Sequence, residues 1–175
     1  MADRTQLYHS GCLTDGWRLF GAHPATEKGT HGWWFNVWAP RAKAVSVVGD
    51  FNGWDPEETP LAPKGEFWQG FVPDLPVYTS YKYAVTGADG KLRYKADPYG
   101  FHTETRPGTA SKLYDIEHFV WTDEAFRKAK QPVYHQPLNI YEVHLGSWRK
   151  HENGDFLDYR DMARQLAAYV KDMGY

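Results

Sequence analysis

Cysteine is nearly absent. Cys12 is the only one in 175 residues, so no internal disulfide can form, and the reducing cytosol is the expected location. Charge of one sign is lacking too: 20 lysines and arginines face 22 aspartates and glutamates, with the basic residues scattered along the chain. That pattern excludes the basic stripe of a nucleic-acid or anionic-lipid binder. Long hydrophobic runs are missing. Nothing approaches the roughly 20 apolar residues of a membrane span, and MADRTQLYHSGCLTDGWRLF at the start lacks the charged-then-apolar order of a secretory signal. Neither nucleic acid nor membrane is therefore an expected partner. The eight histidines show no metal-ligand spacing, and no phosphate loop, nucleophile elbow or dinucleotide fingerprint occurs. No metal and no cofactor is expected.

What the chain does have is aromatic side chains: 17% Phe, Trp and Tyr, including eight tryptophans, at a mean hydropathy of −0.67. Rings in such number either fill a β core or lie open for a flat ligand. Short runs rich in Val, Phe, Tyr and Trp recur as WRLFGA (17–22), GWWFNVWA (32–39), AVSVVG (44–49), EFWQGFV (66–72), SYKYAVT (80–86), KLRYKA (91–96) and SKLYDI (111–116). Turn-forming stretches separate them, and GADG (87–90) suits a tight hairpin. Strands at this spacing predict a β-sandwich over 16–116, after a lead-in at 1–15. In WWFNVW both alternating faces carry aromatics, so Trp33, Trp34 and Trp38, with Trp68, are expected in packing.

VVGDFNGWDP (47–56) stands out, because it sets Trp54 on a polar turn. The indole either folds back over the core or is offered outward.

Near residue 117 the character changes. EHFVWTDEAFRKAKQPVYHQP is charged and irregular, is closed by Pro132 and Pro137, and reads as a linker over 117–137. LNIYEVHLGSW (138–148) then opens as a buried-type strand, with His144 as a hydrogen-bonded core residue. Tyr159, Met162, Ala163, Leu166, Ala167, Val170 and Met173 keep helical spacing, with Asp158 as N-cap, Asp161 in the first turn and Gly174 at the end. One strand and one helix cannot bury their own apolar surface, so the chain reads as the front of something larger.

Two sets of motifs then carry a resemblance. VWAPRAKAVSVVGDFNGWD, YKYAV, DGKLRYKADPYGF and RPGTAS resemble the starch- and glycogen-binding β-sandwich module of the α-amylase superfamily. PLNIYEVHLGSWRK with YRDMARQLAAYVKDMGY resembles the first strand and helix of the (β/α)8 barrel in bacterial 1,4-α-glucan branching enzymes. The implied fold class is mainly β: an immunoglobulin-like β-sandwich followed by the first βα unit of that barrel, at 138–175. The implied reaction transfers α-1,4-glucan segments to 6-hydroxyls in glycogen biosynthesis, by the retaining two-carboxylate route. The carboxylates of that route lie on later barrel strands. No catalytic residue is therefore assigned in this chain, and Glu142 and Asp155 are not put forward.

Binding remains. The resemblance implies that Trp54 stacks on glucose, that Lys82 reaches hydroxyls and that Thr109 adds a polar contact, with Asn52 as a neighbour. The expected partner is α-1,4-glucan (glycogen, starch or maltooligosaccharides), together with the rest of the barrel or another copy of the chain. This sequence departs from the family pattern where Leu92 replaces a second stacking aromatic, Pro107 a leucine and Ser111 an asparagine. With one aromatic platform, millimolar affinity is expected, since 1 mM corresponds to about −4.1 kcal/mol. The competing readings are a module that only braces the barrel, a stand-alone glucan-binding scaffold, or the front of a debranching or trehalose-releasing hydrolase. Trp121 and Trp148 are expected at the junction of module and barrel.

Overall fold

Alternating apolar and polar side chains draw most of the first 120 residues into two facing antiparallel sheets. The computed structural model describes residues 4–130, 133–135 and 137–175; Pro132 of the expected linker and the first three residues of the lead-in lie outside these. By contact the chain divides into two compact units, Met1–Val120 and Trp121–Tyr175.

The first unit opens with helix α1 (Arg4–His9), followed by strands β1 (Gly21–Glu27), β2 (Thr30–Trp38), β3 (Ala44–Gly49), β4 (Ala62–Lys64) and β5 (Phe67–Pro73). It continues through β6 (Ser80–Thr86), β7 (Leu92–Lys95), β8 (His102–Thr103) and β9 (Ser111–Lys112). One sheet runs β1-β2-β5-β4 and the other β3-β6-β9-β8, with β7 also paired to β6. The core lies between them. Trp33, Phe35 and Val37 of β2 meet Val45 and Val47 of β3 and Tyr81 and Tyr83 of β6, all buried. Phe35 and Tyr81 pack edge to face at 5.2 Å.

The β3, β6 and hairpin expectations match the structure closely. The hairpin at 87–91 closes through Gly87 N–H on Lys91 O at 3.0 Å, with Gly90 at φ 75°. The run at 17–22 differs. Its first half is a 3-10 turn (Gly16–Arg18), and the strand begins at Gly21. That turn drops Phe20 into the core, where it packs on Phe67 at 5.5 Å and Tyr99 at 5.1 Å. Pro24 is tolerated in β1 because β1 is an edge strand, where a missing donor costs no ladder bond. The run at 111–116 pairs only over Ser111–Lys112. Beyond it Leu113 bonds Thr79 and Tyr78, and Tyr78 at φ 71° interrupts regular strand geometry.

The outer face of β2 is only partly covered. Trp33 is buried, with Nε1–H on Leu75 O at 2.9 Å, and Trp68 donates to Ala39 O at 3.1 Å. Trp34 is half-buried beside Phe71, whereas Trp38 is exposed apart from Tyr8 of α1. The lead-in thus packs on the sheet that follows it.

The second unit holds α2 (Glu124–Ala129), α3 (Leu145–Trp148) and α4 (Tyr159–Asp172). Residues 138–144 do not form the expected strand: Leu138 and Ile140 are 71% and 74% exposed, and no described strand pairs with them. An apolar run becomes a strand only where a neighbour accepts its backbone groups. His144 is correspondingly exposed, bonded to Ser147 Oγ at 2.9 Å, not a core residue. Trp148 packs on Tyr169 and donates to Tyr141 within this unit, and Trp121 is largely exposed.

The helix is as the spacing predicts. Asp158 Oδ1 accepts from the N–H groups of Arg160 and Asp161 at 2.9 and 2.8 Å, and Gly174 follows at φ 78°. Met162 is buried, but Tyr159 and Met173 are not, and Ala163 and Ala167 lie exposed. The two N–H bonds, Asp161's foremost, hold the Asp158 carboxyl below its ordinary pKa. A depressed pKa means that the cap stabilises above the ordinary carboxylate range and fails as pH falls through the lowered value. Asp158→Ala is expected to fray the first turn of α4, read as loss of 222 nm ellipticity and of amide protection at Arg160 and Asp161. Asp158→Asn should keep both, since asparagine caps as well. Equal protection in the alanine variant would rule the cap out.

Candidate functional site

β3 ends at Gly49, a position where nothing larger fits. A Cβ at that position would meet Ser80 O at 2.4 Å and the Phe51 ring at 2.6 Å. The chain then makes a 3-10 turn (Asp50–Asn52) that Asn52 ties together. Its Oδ1 accepts from Gly49 N–H, while Nδ2 donates to Val47 O and Thr59 Oγ1, each at 2.9 Å. Both amide hydrogens are spent inside the loop, so Asn52 is its brace.

Two left-handed residues follow, Gly53 at φ 62° and Trp54 at φ 61°. For a bulky L-residue that conformation costs about 1–2 kcal/mol. It is held by Trp54 N–H on Gly49 O at 2.9 Å and by the indole Nε1–H on Asp50 Oδ1 at 2.7 Å. The indole is half-buried and not part of the core; Phe51 is the ring of this loop that packs against the core. The sequence thus places Trp54 at a tip, and the backbone and Asp50 fix its direction.

Lys82 stands between Tyr81 and Tyr83 on β6. Those two point into the core, so Lys82 leaves the opposite face, where its ammonium donates to Thr109 Oγ1 at 2.7 Å. Thr109 is exposed on the loop before β9. Glu104 shapes that loop: it accepts from Ala110 N–H at 2.9 Å and Ser80 Oγ at 3.2 Å. The Ala110 bond in particular holds the Glu104 carboxyl below its ordinary pKa. In register, Lys82 lies opposite Val48, and Tyr81 opposite Gly49, whose carbonyl holds Trp54. Trp54, Lys82 and Thr109 therefore share one end of the five-stranded sheet. Of the other positions named from the sequence, Leu92 is exposed on β7, Pro107 is exposed, and Ser111 is wholly buried.

Beneath this face lies a group the sequence did not single out. Asp97 is 8% exposed, and its Oδ2 accepts from the hydroxyls of Tyr81 at 2.7 Å and Tyr83 at 3.2 Å. Its Oδ1 accepts from Tyr99 N–H at 2.8 Å, and its own N–H donates to Ser111 Oγ at 2.9 Å. Burial raises the Asp97 pKa, outweighing the tyrosine and backbone bonds that pull it down. Burial, with the Asp97 charge beside them, likewise raises both tyrosines. The only hint in the sequence was Asp before Pro in ADPYG, which reads as a turn.

Glu142 and Asp155 are exposed, Asp155 within a local turn to Asn153. Among the described residues no group of three or more His, Cys, Asp or Glu could hold a metal ion. No described helix is long and apolar enough to cross a membrane.

The family model described as carbohydrate-binding module 48 (isoamylase N-terminal domain) matches residues 19–100. The 1,4-alpha-glucan branching enzyme GlgB of Halothermothrix orenii is 43% identical over 173 residues, covering 97% of this chain and 28% of that protein. That of Bacillus subtilis is 39% identical over the same length, with the same two shares. The chain thus spans little more than a quarter of these relatives. Among solved structures, a Klebsiella pneumoniae pullulanase complexed with maltotriose is 22% identical, covers 55% of this chain and 9% of that one, and superposes at a TM-score of 0.44, too loosely to argue from. Residues 19–100 thus match the family model of carbohydrate-binding module 48, in a chain whose sequence is similar nearly throughout to about a quarter of the length of bacterial 1,4-alpha-glucan branching enzymes.

Proposed function

We propose that this chain supplies α-glucan binding and domain support to a 1,4-α-glucan branching activity in glycogen biosynthesis. Residues 16–116 would be the binding module, 117–137 a linker and 138–175 the opening βα unit of a catalytic (β/α)8 barrel. The observation that carries the binding reading is the bond joining Lys82 to Thr109 from 27 residues away, beside the turn that holds Trp54 in a strained conformation. A pyranose shows an apolar C–H face and a rim of hydroxyls. Trp54 covers the first; Lys82, with two donors left after Thr109, and the Thr109 hydroxyl bond the second. Asn52 contributes by shaping the turn.

The barrel reading is supported by the exposed Leu138, Ile140, Ala163 and Ala167, apolar positions suited to neighbouring barrel elements. An exposed, unpaired Cys12 suits a reducing cytosol. Glu142 and Asp155 take no catalytic role here.

Glycogen included in a native gel is expected to retard the 175-residue chain, with added maltoheptaose restoring its mobility. Lys82→Ala should weaken the retardation about threefold to tenfold, the worth of one typical hydrogen bond of about 1 kcal/mol. Unretarded migration of the wild type would leave only the bracing role.

A further inference from the structure

The sandwich has a second end, away from the Trp54 turn. Trp54 follows the last residue of β3, whereas β3 begins at Ala44, opposite Thr86 and beside the hairpin that follows β6. Five steps along the strand, about 17 Å, separate the two ends. At the far end the core is left partly open. Ala39, Ala42 and Val85 pack against the buried cluster and also line a cleft of about 490 Å³. Trp38, 43% exposed at the end of β2, and Pro40 line it too. That volume falls within the roughly 300–1,000 Å³ of small-molecule sites.

The lining is held in place by backbone bonds and by charge. Ala42 N–H bonds Ala39 O at 3.1 Å, and Lys43 N–H bonds Thr86 O at 2.8 Å, which ties the turn between β2 and β3 to the end of β6. In the hairpin, Arg93 grips Asp89 through both terminal nitrogens, at 3.0 and 2.6 Å. Gly87 leaves room for that fork: a Cβ there would meet Asp89 Oδ1 at 2.8 Å and the Arg93 guanidinium at 3.0 Å. The Arg93 bonds, with the Lys91 N–H, hold the Asp89 carboxyl down at about 2, so the pair stays ionised and neutral overall.

Arg41 is different. It is an exposed residue of the lining, and among the described residues it has no ion pair or hydrogen bond. With the Asp89 charge spent on Arg93, the cleft carries one uncompensated positive charge beside an apolar floor. It offers no Ser, Thr, Asn, Gln or Tyr side chain to bond the hydroxyl rim of a neutral sugar.

We propose that this cleft binds a small flat carboxylate, with an aromatic ring on the apolar floor and its carboxylate on Arg41. A guanidinium presents a planar fork of donors that matches a carboxylate. The ring takes the place of water over Ala39, Ala42 and Val85, the favourable exchange for an apolar surface. None of the residues assigned to glucan takes part, so the inference stands apart from that reading.

Indole-3-acetate titrated into the isotope-labelled chain, followed by amide and indole NMR signals, tests it. Indole-3-acetamide and maltoheptaose are the controls. The expected result is saturable movement of the Trp38 indole N–H and of the Ala42, Gly87 and Ala88 amides, with a dissociation constant of about 1 mM. Indole-3-acetamide, the same ring without the charge, should bind about fivefold more weakly, and Arg41→Ala should weaken indole-3-acetate by about the same factor. Arg41→Lys, which keeps the charge and loses the fork, should fall between. Maltoheptaose should leave these signals in place. No saturable movement at about ten times the expected constant would overturn the site. Equal affinity for the acetamide, or undiminished affinity in Arg41→Ala, would overturn the carboxylate assignment. Displacement of indole-3-acetate by maltoheptaose would make the cleft a sugar site and the proposal wrong.

Discussion

Asp97→Ala is expected to destabilise the first unit by about 3 kcal/mol, lowering its melting temperature by about 10 °C or more. The variant removes the acceptor of three donors: the Tyr81 and Tyr83 hydroxyls and the Tyr99 N–H. Each buried donor left unpaired costs about 1–3 kcal/mol before relaxation. Both tyrosines are 1% exposed, so water cannot readily take the place of the carboxylate. Adding Tyr81→Phe to Asp97→Ala should recover part of the loss, because one unpaired hydroxyl is then gone. Thermal unfolding of the two variants reads the effect. An unchanged midpoint for Asp97→Ala would show that the network does not hold the sheets together.

The same residue sets a pH dependence. Its pKa is raised in the fold, so the native state binds a proton more readily than the unfolded chain. Stability from this group is complete below the ordinary carboxylate value and declines as pH rises through the raised one. The Asp97 contribution to wild-type stability should therefore decline on going upward from about pH 4, and the Asp97→Ala variant should lack that contribution. The gap between their melting temperatures is expected to narrow as pH rises.

The second large effect belongs to Trp54. Trp54→Ala should weaken glycogen retention about tenfold to a hundredfold, the equivalent of the roughly 1.5–3 kcal/mol gained when a large ring is covered. The fold should survive, since the indole is outside the core and Phe51 anchors the turn. Trp54→Phe, keeping a flat face but losing the bond to Asp50, should fall between. Near-UV circular dichroism with affinity gels distinguishes lost stacking from lost structure. Undiminished retention in the alanine variant would leave Trp54 a mere turn residue.

Some of this was legible at once. β3 and β6 appear as their β-branched and aromatic runs indicate, and the Asp158 cap and Gly174 stop bound α4 as expected. Such features act within a few residues. Other readings failed because their outcome depends on neighbours. Residues 17–22 spend half their length in a turn that buries Phe20, and 138–144 have no partner strand among the described residues. Asn52 lies beside Trp54 as expected, yet its amide is consumed by Val47 and Thr59.

The chain's order of residues, by itself, determined the periods, the turns, the helix cap and the motif that sets an indole at a tip. All of these are local contests between backbone conformations. Only the tertiary structure decided that Asp97 meets Tyr81 and Tyr83 and that Lys82 meets Thr109. Those pairings join residues about ten to thirty positions apart through strand register, and register is fixed by which faces the two sheets bury against each other.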